Sequence, residues 1–414
     1  MADGEIRGSR AAKTRDALLR SGEKEFSERG FHSSSVSGIC ERAGLANGTF
    51  YRHFANKVEI FAALVEQLQQ GLCQCLHLAA EEEERADAAL LRAYRSALAY
   101  IERETNLYLV GRSAESMQMG IHRHFRSGLA NALEGIVSRG IQNGHVRPID
   151  PKLAAFFILG VIEFASMRYI TWEPGALSES VLQTFDAFLL RGIDSGAPVS
   201  TVTGKSAKRR TSDSERDPKP EGGEATRQAL LASAEQLFGQ AGFHETAISG
   251  ITYLAGVAQG TFYLHFPSKV AVFTELVREV NRRFRSEEHT ALAGLVDRRS
   301  MEREGFRTFF RFIGEHRGAY RLLREAEFVD PKTGRWYYER LAEGYIRGLT
   351  GGMARGEIRP LAVEPLAYAL LGVGHSVALW ALTNGGDKVD SLVTEATLQG
   401  VLDILLHGLA FPPA

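Results

Sequence analysis

Residues 30–54 read GFHSSSVSGICERAGLANGTFYRHF, and residues 242–266 read GFHETAISGITYLAGVAQGTFYLHF. The two stretches align without a gap at a spacing of 212 residues. The same spacing carries Thr14-Arg15 to Thr226-Arg227, Phe26 to Phe238, Lys57 to Lys269 and Phe61 to Phe273. It continues more thinly through Ile101 and Ile313, Tyr108 and Tyr320, Arg112 and Arg324, Ala114-Glu115 and Ala326-Glu327. Farther on, Gly144 pairs with Gly356, Arg147-Pro148 with Arg359-Pro360, and Leu159-Gly160-Val161 with Leu371-Gly372-Val373. One register over so much sequence implies duplication of a whole unit, because a solenoid repeat would have a period of about 20–50 residues.

The pattern predicts an all-α fold. Leu18, Leu19 and Phe26 line one side of a helix over residues 14–29, and Gly30 suits its C-cap. Ser34 is placed to N-cap a second short helix running to Ala43, and Thr246 holds the matching place in the repeat. Gly44 supplies the positive φ of a tight reversal, and a further helix follows near residues 46–54. That arrangement is a helix-turn-helix, whose second helix has the width of a DNA major groove. Beyond it, residues 90–109, 125–142, 153–169 and 181–193 read as amphipathic or buried helices, with equivalents in the second copy. No segment sustains the period-two alternation of a strand.

The run Gly30-Phe31, Val36, Ile39, Ala43-Gly44, Gly48-Thr49-Phe50-Tyr51, His53-Phe54 and Lys57 closely resembles the N-terminal domain of the TetR family of transcriptional regulators. The second copy, ending Gly260-Thr261-Phe262-Tyr263-Leu264-His265-Phe266-Pro267-Ser268-Lys269, resembles it more closely still. The resemblance covers about 50 residues at each head and is only architectural beyond them. It implies an all-helical, repressor-like protein: two tandem TetR-like units, each with a three-helix DNA-binding head and a helical body for ligand binding and dimerisation. It further implies that Tyr51, Lys57, Tyr263 and Lys269 touch phosphates, which a phenol and an ammonium suit. Thr49 and Thr261 lie early on the recognition helix, in reach of backbone or a thymine methyl. His53 and His265 are equally suited to reaching DNA or to packing. With Arg15, Ser34, Arg227 and Thr246, these residues are the expected DNA-facing set, completed by the base readers below.

The heads differ where bases would be read: Asn47 faces Gln259, Arg52 faces Leu264 and Arg42 faces Leu254. Asn, Gln and Arg pair bidentately with purine edges, worth about 1–3 kcal/mol each, and Leu does not. Two unequal half-sites in the operator follow as an expectation. Charge favours the first head: residues 14–61 hold seven Lys/Arg and six Asp/Glu, residues 226–273 two and two. Arg7, Arg10, Lys13 and Lys208-Arg209-Arg210 are candidate basic arms. Glu25 departs from the family pattern, where the second head has Leu237.

The expected division is a head over 1–62, a body over 63–194, a linker over 195–223, a second head over 224–274 and a second body over 275–414. The linker is rich in Ser, Thr, Pro, Gly and charge, and about 29 residues of coil span about 30 Å. The resemblance implies pairing through the last two helices of each body: 151–172 with 179–193, and 365–382 with 391–409. Both copies on one chain favour an internal pseudo-dimer, since the linker raises effective concentration toward about millimolar. Pairing of two chains, giving four heads, stays open. Tyr320, Arg324, Phe328, Trp336, Tyr337, His375 and Trp380 are the candidate ligand residues, for an amphiphilic or acidic small molecule. Arg112 and Glu115 repeat as Arg324 and Glu327, which a structural ion pair also explains.

The chain has 414 residues, is 44% hydrophobic and 24% charged, and carries a formal net charge of −1. It is therefore an ordinary globular composition, neither polybasic nor acidic. Cys40, Cys73 and Cys75 make no disulfide framework or zinc site, and no run of about 18 uninterrupted apolar residues offers a membrane span. Glu81–Glu84 reads as solvated, and His122-x-His124 is poor metal-ligand spacing on a helix. Gly351-Gly352 and Gly385-Gly386 lack a phosphate-cradle setting. With no recognisable catalytic constellation, the expectation is a cytoplasmic, non-enzymatic regulator without cofactor or metal. Its partners are double-stranded operator DNA and a small-molecule effector of unknown identity. The alternative is a small-molecule or protein-binding module in which one or both heads have lost DNA.

Overall fold

Helix ends recur at the spacing of the sequence repeat. The computed structural model describes residues 2–81, 83, 85–117, 119–192, 222–384 and 392–408, with backbone alone for residues 2–10, 117, 119 and 384. The first copy contains α1 (Ala2–Ser33), α2 (Val36–Ala43), α3 (Asn47–Phe50), α4 (Lys57–Glu81), α5 (Ala86–Arg103), α6 (Thr105–Met117), α7 (Met119–Gln142), α8 (Pro151–Ser166) and α9 (Glu179–Arg191). The second contains α10 (Gly223–Ala241), α11 (Ile248–Leu254), α12 (Gln259–His265), α13 (Lys269–Leu292), α14 (Arg298–Glu315), α15 (Arg317–Val329), α16 (Pro331–Ala354), α17 (Val363–Asn384) and α18 (Glu395–His407). From α5 to α7, each helix reappears displaced by 212 residues at both ends. The final pair, α9 and α18, are displaced by four more, so the connection before α18 gained one helical turn's worth of chain. No strand occurs among the described residues.

Several expected boundaries move. The helix expected over 90–109 is two, because Glu104 leaves helical geometry at φ −108°, ψ 40° and His316 does the same at φ −124°, ψ 47°. One helix, α4, runs through the expected head–body boundary at residue 62, and α13 runs through the one at 274. α8 continues as a π-helical turn over Met167–Thr171. The linker over 195–223 lies almost wholly outside the described residues.

The chain divides into two compact units, Met1–Val146 with Ala165–Ser178, and Arg147–Phe164 with Glu179–Ala414. The first body is therefore not self-contained: most of α8 and all of α9 belong with the second copy. In the first unit, Leu18, Ile39, Phe50, Phe54 and Phe61 are fully buried and close the three-helix head. Phe26, Phe31 and Phe61 form a ring cluster with centroids 5.1–5.7 Å apart. α4, α5, α6 and α7 continue as a bundle of helices packed on one another.

The second unit repeats this with Phe238, Phe243 and Phe273 at 5.2–5.6 Å. It also contains a four-helix seam of α8, α9, α17 and α18. At its centre Gly160 lies against Gly372, its own repeat: a Cβ on either would fall 2.1–2.3 Å from the other's carbonyl oxygen. At its end Gly192 abuts Leu406, while Gly408 abuts Leu190, and these pairs are also repeats of one another. Reciprocal contacts of this kind are the mark of a local two-fold axis. Arg147 fastens the seam, donating to Asp403 at 2.6 Å and to the Gly408 carbonyl at 2.9 Å. Residues 151–171 and 363–383 have the length and apolarity of membrane spans, but are 89% and 78% buried within the structure.

Candidate nucleic-acid interface and effector cavity

In both heads the reversal forms as its sequence requires. Gly44 (φ 65°) and Gly256 (φ 70°) take the left-handed conformation that a side chain resists. Ser35, not Ser34, caps α2, accepting from the Gly38 amide at 3.0 Å. Ser34 instead turns inward and donates to the carbonyls of Gly30 (2.6 Å) and Glu25 (3.0 Å). Thr246 likewise donates to Gly242 at 2.8 Å, leaving α11 without a side-chain cap. Both hydroxyls are buried, so neither faces DNA.

Lys57 and Lys269 also turn inward. Lys57 Nζ donates to the carbonyls of Phe31 (2.7 Å) and Ser34 (2.8 Å) and lies 4.2 Å from the Phe31 ring centroid. Lys269 repeats this with Phe243 and Thr246, both at 2.8 Å. Burial pushes both ammonium pKa values down. Two of each ammonium's three donors hold the turn before the helix-turn-helix, a fastening role where the resemblance implied phosphate contact.

Arg42 is likewise withdrawn from base reading. Its Nε meets the Glu25 carboxylate at 2.7 Å, and its Nη2 meets Glu28 at 2.5 Å. Glu25 is only 1% exposed, so its departure from the family pattern is the inner half of an ion pair. The repeat positions are Leu237, half-buried, and Leu254, exposed.

α3 and the turn after it present Asn47, Tyr51 and Arg52, all exposed, where a helix was expected over residues 46–54. Arg52 donates to the Thr49 hydroxyl at 3.2 Å, and His53 is half-buried. Arg15 is exposed, with its guanidinium 5.0 Å from the Phe54 ring centroid. The second recognition helix presents Gln259, Tyr263 and Leu264, with Thr261 and His265 half-buried. Here Leu264 is 83% exposed and the neighbouring Tyr253 88%. Arg227 is tied to Glu275 at 2.5 Å and lies 5.0 Å from the Phe266 ring centroid. Neither basic residue in 226–273 is therefore a free cation.

The second body contains a cavity of about 110 Å³, walled by Phe284, Phe306, Phe309 and Leu370. Its polar end is built from Glu288, Arg298, Glu302 and Tyr345. Arg298 Nε donates to Glu302 at 2.8 Å, its Nη2 joins the same oxygen, and its backbone amide donates to Glu357 at 2.9 Å. Asp297 caps α14 by accepting from the Ser300 amide at 2.8 Å, which sets Arg298 at the mouth of that helix. Burial and the nearby Glu302 charge push the Glu288 carboxyl up. Burial, with the charges of Glu302 and Glu288, also raises the Tyr345 phenol.

The expected ligand residues are dispersed. Tyr320, Arg324, Tyr337 and His375 line a neighbouring space of only about 20 Å³, where Tyr320 Oη meets His375 Nδ1 at 2.9 Å. That cluster is packed core with room for about one water. Phe328 borders neither space, and Trp336 lies in an open groove with the Arg278 guanidinium 5.6 Å from its ring centroid. Trp380 stacks on Phe156 at 5.7 Å in the seam. The four polar cavity residues escaped the sequence reading, although the repeat marks them. Their counterparts are Leu76, Ala86, Leu90 and Leu133, all apolar.

Residues 18–64 and 230–276 each match the family model for bacterial regulatory proteins of the tetR family. The chain is a tandem TetR-like, DNA-binding transcriptional regulator. It is 28% identical over 168 residues to the fatty acid metabolism regulator protein of Bacillus subtilis, covering 38% of this chain and 86% of that one. It is 32% identical over 95 residues to the transcriptional activator FasR of Mycolicibacterium smegmatis, covering 22% and 43%. Among solved structures, FadR of Bacillus subtilis in complex with stearoyl-CoA aligns at 26% identity over 41% of this chain and 97% of that one, with a TM-score of 0.37. Each match takes in less than half of the present chain, as a duplicated regulator requires.

Proposed function

We propose that this regulator is a cytoplasmic repressor whose two heads work as an internal pseudo-dimer on an operator with unequal half-sites. A small molecule held by the second body releases it. The reciprocal packing of Gly160 on Gly372 carries the pseudo-dimer reading, because it brings together helices that a homodimer of this family would supply from two chains. The unequal half-sites rest on the exposed faces: Asn47 on α3 and Arg52 in the turn after it, Gln259 and Leu264 on α12. The first head offers hydrogen bonds to purine edges, whereas Leu264 offers apolar contact to a thymine methyl.

Selection of bound sequences from a random duplex pool by the full chain tests this. The expected outcome is two unlike half-sites whose centres lie about 10–10.5 base pairs apart, and a perfect palindrome contradicts it. Arg52→Ala is expected to weaken binding and relax the preference at the one base it reads, with the salt slope nearly unchanged.

A second reading is favoured by the second head's surface. With Arg227 and Lys269 both engaged and Tyr253, Leu254 and Leu264 exposed, that head lacks the means of gripping a phosphate backbone strongly. In this reading the first head alone holds DNA. Selection yielding one half-site, with Leu264→Ala and Tyr263→Phe both silent, decides for it.

A further inference from the structure

The duplicated sequence contains its own control: what the scaffold needs is present twice, and what one copy acquired is present once. The cavity in the second body belongs to the second kind. Glu288, Arg298, Glu302 and Tyr345 occupy the positions of Leu76, Ala86, Leu90 and Leu133, so four ionisable groups stand where the first copy has four core residues. Room was made at the same time. Gly305, Gly344 and Gly374 line the cavity where the first copy has Ala93, Ala132 and Ile162. Gly348 clears the space for Arg298, since a Cβ there would lie 2.1 Å from Nη1, and its counterpart is Ile136. Burying ionisable groups is costly without a compensating partner, and nothing in the scaffold demands it, because the first copy folds its equivalent helices without them.

The charges specify the ligand. Arg298 is the single cation lining the cavity, and its guanidinium is engaged by Glu302. Glu288 adds a second carboxylate at the same end. Among the described lining residues, one positive and two negative groups leave a deficit of one positive charge, with Arg285 acting on Glu288 from outside the lining; an acidic ligand would add a third negative. The walls of Phe284, Phe306 and Phe309 suit a ring or short chain, and their faces attract a cation. The cavity of about 110 Å³ is smaller than the dry cavity of about 150 Å³ that admits a benzene ring, so the phenylalanine side chains must move apart to receive one.

We infer that the second body binds a small hydrophobic primary amine, one per chain, with its ammonium on Glu288 and its apolar part among the three phenylalanines. This deepens the effector reading above and rests on it only for the coupling to DNA.

Calorimetric titration of the full chain at pH 8 with 2-phenylethylamine, 2-phenylethanol and phenylacetate tests it. The amine is expected to bind at one per chain, about ten-fold or more tighter than the alcohol, with phenylacetate weakest. Glu288→Gln keeps the shape, removes the charge and lowers amine affinity about ten-fold while sparing the alcohol. Phe309→Ala weakens amine and alcohol together, and unchanged circular dichroism establishes that both variants fold. Phenylacetate binding most tightly, a stoichiometry of two, or an amine affinity indifferent to Glu288→Gln each overturns the assignment. Fluorescence anisotropy of a selected operator fragment reads the coupling separately. Amine binding that leaves DNA affinity unchanged removes the effector role while the site stands, and absence of amine binding removes the site.

Discussion

Glu25 and Arg42 illustrate how one pair of side chains can be polar in one head and apolar in the other. Arg42 alone would read as a base-contacting residue, because arginine near a recognition helix usually is one. Glu25 alone would read as an anomaly on a helix that should bury leucine. The ion pair between them, with Glu28 on the outer side of Arg42, resolves both, and Leu237 and Leu254 were visible in the sequence as two separate differences. What the sequence lacked was the 17-residue contact that joins them. Arg42→Ala leaves the buried Glu25 carboxylate with only the more distant Arg29, at 3.5 Å, and is expected to destabilise the first head. The double substitution Glu25→Leu, Arg42→Leu should recover most of that loss. Urea denaturation of the single and double variants reads the coupling, and additive losses would contradict it.

The capping serine lies one residue beyond the expected one, but helices were legible because their punctuation is local: glycine at the reversals and apolar residues on one face. The breaks at Glu104 and His316 were not, since apolar periodicity runs through both and only the packing of α5 against α6 and of α14 against α15 turns the chain there. The body's cavity was equally hidden, because aromatic and polar residues attract attention wherever they cluster, and Tyr320 and His375 meet one another within packed core. At α14 the cap governs the cavity's geometry. Burial tends to raise the Asp297 carboxyl, but hydrogen bonds from Ser300 and Arg299 outweigh it and hold the group below its ordinary value. Its folded pKa thus lies under the unfolded one, so its contribution is full above about pH 4 and disappears as pH falls through the folded value. Asp297→Ala should lower stability by about 1 kcal/mol at pH 7, with a difference from wild type that shrinks on acidification. Thermal melts over pH 3–7 measure this, and a constant difference would contradict it.

Across the molecule, the two copies share a plan and differ in chemistry. The duplication, the all-helical class and the family could be read from 25 residues and their echo. The grouping of α8 and α9 with the second copy could not, because it depends on which surfaces find each other in space. If the seam takes the place of the interface between chains, as proposed, the protein behaves as a monomer of 45.5 kDa in multi-angle light scattering. A mass of twice that value would place the pairing between chains. Gly160→Leu drives a side chain into the Gly372 backbone and is expected to open the seam, lowering the melting temperature and abolishing tight operator binding. Retention of both properties would deny the seam any role in aligning the heads.

The glycine crossing also has a bearing on how such a protein changes over generations. In an assembly of two identical chains, every substitution at the symmetry axis arrives as a matched pair, and both must be tolerated together. Gly160 and Gly372 have separate codons, so a change at one meets an unaltered partner. Each half can therefore drift singly, one head growing apolar and one body opening to a new molecule, while the other half preserves the join.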